Sequence, residues 1–182
     1  MQAKVRTATI EDAEAINRVN ILTWQSSYRG IFPDKFLANL PIAKRLKNIC
    51  QFFRAPPPQS AAFVVEVPIV GIAGFAFGGK AREVIQDYDG ELYGLYILQE
   101  YQRHRLGRLL LKNIATHLEV RRFTKMFAWT LTVSPYTAFY RGLGAIECGK
   151  QIREFGPVSK ELVAFGWPSI SDLLARLEIL VN

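Results

Sequence analysis

The stretch ELYGLYILQEYQRHRLGRLLLKNIATHLEV, Glu91 to Val120, decides how the chain is read. Its opening, Glu91 to Leu98, is bulky and β-forming and suits a central strand, in which Gly94 marks a bulge or a close approach of another backbone. From about Arg103 onward, Leu106, Leu109, Leu110, Asn113, Ile114 and His117 recur at helical spacing. Met126 to Val133, β-branched and aromatic, then returns to strand. The unit is strand, turn, helix, strand.

Between strand and helix lies Gln102-Arg103-His104-Arg105-Leu106-Gly107-Arg108, a tight basic turn. The first amides of a helix have no partners within it and carry partial positive charge, so such a turn suits an anion. Gly107 permits close approach of backbone and phosphate, and Arg103, Arg105 and Arg108 add mobile positive charge. Basic residues at a helix start oppose the dipole, which favours a ligand over a merely solvated surface. Coenzyme A, with its pyrophosphate and ribose phosphate, has the matching chemistry.

Working outward, Lys4 to Ala8 reads as a short strand, and Thr9-Ile10-Glu11-Asp12 caps a helix carrying Ala13, Ile16, Asn17, Asn20 and Trp24. Tyr28-Arg29-Gly30 stops it; Pro33-Asp34 opens a short helix and Pro41 a longer one to about Phe53. Ala61 to Val67 and Ile69 to Phe77 form a hairpin about Pro68, and Asp89-Gly90 reads as the turn into the Glu91 strand. Beyond Val133, a short helix over Thr137 to Arg141 is stopped by Gly142 and Gly144. Strands follow near Ala145 to Glu154 and Lys160 to Gly166, and Ser171 caps a last amphipathic helix with Leu173, Leu174 and Leu177. The sum is one α/β domain of mixed α+β character over residues 1–182, a mixed sheet with helices on both faces.

Apolar residues at 49% and charged residues at 21% indicate a soluble globular chain, and no apolar stretch approaches a bilayer span. The N-terminal residues show neither a secretory nor a transit signal, so a cytoplasmic protein is expected. Cys50 and Cys148 are isolated, without metal-ligand spacing, and read as buried reduced thiols; no metal is expected. The net charge of +7 fits a polyphosphorylated ligand as well as nucleic acid, but no nucleic-acid motif accompanies it. His104 and His117 are linked to no Ser or Cys nucleophile.

YQRHRLGRLLL, Tyr101 to Leu111, resembles the coenzyme-binding motif of the GNAT superfamily of N-acetyltransferases, Q/R-x-x-G-x-G/A. Gln102 and Gly107 take its first and last places, while Arg105 stands where the middle glycine usually lies. SPYTAFYRGLGA, Ser134 to Ala145, is similar to the family signature N-P-x-x-x-F-Y-x-x-L-G-G/A, with Ser134 replacing the Asn. The likeness extends to V-R-x-A-x-x-x-D-A from Val5, to Trp24–Asp34 and to Phe165-Gly166-Trp167, and so covers nearly the whole chain.

The resemblance implies a mostly antiparallel mixed sheet of six or seven strands and acetyl transfer from acetyl-CoA to a primary amine by direct attack. It implies Glu91, eleven residues ahead of Gln102, as the base that takes the amine proton, and Tyr140 as the group that protonates the departing thiolate. A main-chain amide near Tyr96 or Ile97, where the family's strand splays from its neighbour, polarises the carbonyl. Leu95, Tyr96, Ile97, the turn from Gln102 to Arg108 and Ser134 become the coenzyme site, His104 and Leu106 within it. Trp24 and Tyr28 line the acceptor pocket. The acceptor is a small molecule or peptide amine, with no nucleic-acid or membrane partner and with a homodimer as the default assembly. The alternative is an acyl-CoA-binding sensor that has lost turnover through Arg105 and Ser134; retention of Glu91 and Tyr140 speaks against it.

Overall fold

The structure, a computed structural model, describes residues 2–181. Seven strands form one sheet in the order β1-β2-β3-β4-β5-β7-β6. They are β1 (Lys4–Thr7), β2 (Ala61–Val67), β3 (Gly71–Ile85), β4 (Tyr88–Ile97), β5 (Met126–Leu131), β6 (Ile146–Phe155) and β7 (Val158–Trp167). Every neighbouring pair is antiparallel except β4 and β5. A parallel pair needs a long crossover. The expected helix, α4 (Leu106–Val120), supplies it.

Alternation along the strands divides the core into two layers. On one face Val65, Ala76, Leu92, Met126, Ala128 and Phe165 pack against Leu110, Leu111, Ile114 and Leu118 of α4 and against Leu173 and Leu177 of α6 (Ile170–Val181). On the other, Val64, Ile72 and Phe75 meet Ile16 and Val19 of α1 (Ala13–Ser27), with α3 (Ile42–Arg54) outside them. Trp24, Phe32 and Leu37 of α2 (Asp34–Ala38) extend that layer over Leu131 and Leu162. The entry to α1 is fixed by charge: Arg6 donates to Asp12 at 2.7 and 2.8 Å and to Glu66 at 2.9 Å, while Asp12 also accepts the Thr9 amide at 2.8 Å. Three chain segments thereby meet at one guanidinium.

Local readings differ from the structure at four places. Asp89-Gly90 lies within β4, not in a turn, because the Asp89 carboxylate accepts the amides of Thr124 and Lys125 (3.1 and 3.0 Å) and aligns β4 with the start of β5. The turn is at Gln86, left-handed with φ 48°, and β3 runs on to Ile85, whose side chain packs with Tyr88, Phe127 and Ala164. Ile69 belongs to the preceding turn at φ 72°, with its side chain exposed, and β3 starts at Gly71. Ser169, not Ser171, caps α6: its Oγ accepts the Asp172 amide at 3.0 Å, whereas Ser171 donates to Glu119. Cys50 and Cys148 are free but only partly buried. Among the described residues no helix is long and apolar enough to cross a membrane, and no group of three or more His, Cys, Asp or Glu could hold a metal ion.

Candidate active site

The sheet opens between its two parallel strands. β4 pairs with β5 only over Gly90–Leu92 against Met126–Ala128, although β4 continues to Ile97 and β5 to Leu131. The cause is on the other edge of β4. Phe77 faces Gly94 and Gly78 faces Leu92, so Tyr93 is an extra residue, a bulge at the position Gly94 had marked. A bulge bends its strand and increases the twist, which turns the second half of β4 away from β5. Leu98 donates to Ala73 on β3 at 2.9 Å. Alternation then directs the backbone groups of Leu95 and Ile97, not those of Tyr96, into the gap. The Ile97 carbonyl already accepts from Gln102 at 3.1 Å; by the same alternation its amide, like that of Leu95, faces the opening.

The basic turn lies at the base of this gap. Intrahelical bonding in α4 begins at Arg108, which donates to the Arg105 carbonyl at 3.0 Å, so the Leu106 and Gly107 amides precede the ladder. Arg103 and Arg105 both adopt left-handed backbone, φ 65° and 63°, so Arg105 keeps the conformation that glycine adopts most readily. Leu106 is a core side chain and contributes only backbone here, and the His104 ring is held on the Gln102 carbonyl at 2.8 Å. The Gln102 side chain points away from the turn, to the Tyr136 hydroxyl at 3.1 Å, which in turn bonds Ser27 at 2.6 Å. It therefore braces the ends of β4 and α1 against the segment before α5 (Thr137–Gly142). A Cβ on Gly107 would meet Leu95 and Phe139 at an ordinary 3.6 Å; the position accepts alanine, but an indole would displace Phe139 and disturb its neighbour Tyr140.

Tyr140 stands across the gap on α5, its ring stacked on Phe165 with centroids 5.5 Å apart. Burial, with a smaller contribution from Tyr96, holds its phenol well above the ordinary tyrosine range. Ser134 is buried, and its Oγ accepts the Tyr136 amide at 3.2 Å, so it shapes the turn leading into α5. Gly144, at φ 82°, ends the same helix.

Glu91 is fully buried on β4, at the last stretch where β4 and β5 are paired. Its carboxylate is held by one residue that the sequence reading did not single out. Arg82 donates its amide and Nε to Oε2 (3.0 and 3.1 Å) and Nη2 to Oε1 (2.5 Å). The guanidinium also lies 4.3 Å from the Tyr93 ring. A carboxylate has about four acceptor positions, so one lone pair on Oε1 stays unengaged. The available signal was the charged run Lys80-Ala81-Arg82-Glu83 inside a strand pattern that had seemed to end at Phe77.

Trp24 is buried and Tyr28 half-buried, the two rings edge to face at 4.8 Å, in the aromatic layer with Phe32 and Phe155. Both are packing residues as well as candidate pocket walls. Tyr28 is desolvated enough to hold its phenol well above the ordinary range, and it interacts with Tyr96, Tyr140 and Tyr136. The cluster connects α1 to the gap. Of the expected residues, Leu95 and Gly107 lie together beside Phe139, the neighbour of Tyr140, and Trp24, Tyr28 and Tyr96 share one aromatic cluster, while Glu91 sits on the paired part of β4.

Residues 21–145 match the Acetyltransferase (GNAT) family. The chain is 32% identical over 175 residues to the uncharacterized N-acetyltransferase YuaI of Bacillus subtilis (strain 168), covering 95% of this chain and 97% of that one. It belongs to the GNAT family. Among solved structures, PaiA N-acetyltransferase from Thermoplasma acidophilum in complex with coenzyme A is similar at TM-score 0.64 and 16% identity, over 90% of this chain and 98% of the other. Ribosomal-protein-alanine N-acetyltransferase from Brucella melitensis is similar at TM-score 0.67 and 19% identity, over 90% and 98%. At those identities the two speak for the fold alone.

Proposed function

We propose that this protein transfers the acetyl group of acetyl-CoA to a primary amine by direct attack, with the thioester lying in the gap between β4 and β5. The observation that carries this is the opening itself: unpaired strand edges above a helix N-terminus, with a phenol on the far side. The pyrophosphate is held by the first α4 amides and the arginines of the turn, and the Ile97 amide faces the acetyl carbonyl oxygen. The amine nitrogen attacks the carbonyl carbon, and its proton passes, directly or through water, to the open lone pair of Glu91. Collapse of the tetrahedral intermediate breaks the carbon–sulfur bond. Because the Tyr140 phenol is held above its ordinary range, while a thiol ionises near 8.5, full proton transfer to sulfur is uphill. Tyr140 therefore acts chiefly by hydrogen-bonding the departing thiolate. The acceptor is a small molecule or peptide, and a cytoplasmic setting is part of the proposal.

The test is amine-dependent thiol release from acetyl-CoA. Tyr140→Phe is expected to lower kcat by about 10²-fold while the KM for acetyl-CoA stays within about twofold, the pattern of a group acting on the transition state. A second reading, acyl-CoA binding without turnover, is favoured by one observation: Arg82 occupies both Glu91 oxygens. Tight acetyl-CoA binding with no thiol release for any amine would select it.

A further inference from the structure

Three buried side-chain polar atoms among the described residues have no hydrogen-bond partner: Asn17 Oδ1, Trp24 Nε1 and Arg45 Nε. All lie along the seam between α1 and α3, and two are donors on stacked groups, since the Arg45 guanidinium lies over the Trp24 ring, 4.5 Å from its centre. Orphaned buried donors are rare because each forfeits its hydration without replacement. Two orphaned donors on stacked groups suit one shared acceptor.

The chemistry of that acceptor follows from Arg45. Nη1 is committed to Asn20 Oδ1 at 2.5 Å, which leaves the Nε edge of the planar fork for something else. No carboxylate among the described residues forms an ion pair with this guanidinium; its titratable neighbours are the phenols of Tyr96 and Tyr28. Burial lowers its pKa from the ordinary value, as expected of a cation desolvated without a counter-ion. The same phenols lead to the transfer site: Tyr28 touches Trp24, and Tyr96, between Leu95 and Ile97 on β4, packs into the same cluster.

We propose that Arg45 and Trp24 Nε1 are the carboxylate-binding end of the acceptor pocket, so that the acceptor is a primary amine carrying a carboxylate, as in an amino acid. This rests on the acetyltransferase reading and names the substrate class for that site. Two N–H donors from a guanidinium edge and an indole suit the two oxygens of one carboxylate. A polyamine would instead place a second cation against Arg45.

The experiment is thiol release from acetyl-CoA with a panel of amino acids, each paired with its carboxamide and its decarboxylated amine. The expected result is a preference of about 100-fold in kcat/KM for the carboxylate over its partners, in line with a site built around a charged hydrogen bond. Arg45→Met should abolish the preference, Arg45→Lys should restore part of it, and Trp24→Phe, which keeps a ring but removes the donor, should raise the carboxylate KM about tenfold. Equal use of acid and amide, preference for a polyamine, or no turnover of any carboxylate-bearing amine overturns the proposal. Calorimetric binding of acetyl-CoA to the same wild-type sample separates the two failures. Binding with turnover of other amines but without the preference defeats this inference alone, whereas no binding, or binding with no thiol release from any amine, defeats the acetyltransferase reading beneath it.

Discussion

Glu91 depends on Arg82, which faces it across the turn between β3 and β4. A glutamate beginning a central strand was visible in the sequence, and so was its place relative to Gln102. Its partner was not, because Arg82 reaches it only when β3 runs past its apolar stretch and carries the guanidinium back over β4. Truncating Arg82 leaves a fully buried carboxylate without its two guanidinium donors, with only the main-chain amide of residue 82 still bonded to it. Arg82→Ala should destabilise the fold by about 1–2 kcal/mol, discounted for the guanidinium's own exposure, as read by chemical denaturation. Glu91→Gln in the same background should recover part of that loss. If Arg82→Ala costs nothing, the ion pair is not what holds Glu91. Arg45 was equally silent in the sequence: a basic residue on an amphipathic helix looks solvated until the fold shows what it lies against.

At the level of elements, legibility followed the source of each signal. The strand Glu91–Leu98, helix α4 and the motif over Ser134–Ala145 were readable because side-chain spacing and glycine placement encode them locally. The long β3 and the true turn at Gln86 were not. Asp89-Gly90 has turn chemistry, and only the Thr124 and Lys125 amides, 35 and 36 residues away, pull it straight. The final helix cap moved from Ser171 to Ser169 for a similar reason, since both serines precede the same apolar stripe. The bracket at the start of α1 gives this scale its prediction. Arg6 first, helped by Thr9 and opposed by burial, lowers the Asp12 pKa in the folded state. Its stabilisation is therefore complete above the ordinary Asp range near 4 and is lost as pH falls through the folded value. Asp12→Asn should cost about 1 kcal/mol at pH 7, and the gap to wild type should close as pH falls through the lowered folded value. A gap constant with pH would assign the effect to the cap alone.

For the whole molecule, the two helical layers serve different ends. The α4–α6 layer is a continuous apolar core, whereas the α1–α3 layer keeps phenols, an indole and a desolvated guanidinium beside the place where the sheet divides. The division itself is a property of no single element: it needs the Tyr93 bulge on β4, the crossover through α4 and the phenol from α5, which is why the motifs pointed to it without revealing its geometry. The claim that acetyl-CoA lies there is tested most directly by calorimetric titration of acetyl-CoA into wild type, Gly107→Ala and Gly107→Asp. An aspartate in the first helical turn complements the dipole, but it opposes a pyrophosphate at the same amides. Micromolar binding by wild type and Gly107→Ala, weakened at least tenfold in Gly107→Asp at unchanged thermal stability, is the predicted result; no binding by wild type, or equal binding by all three, would contradict it.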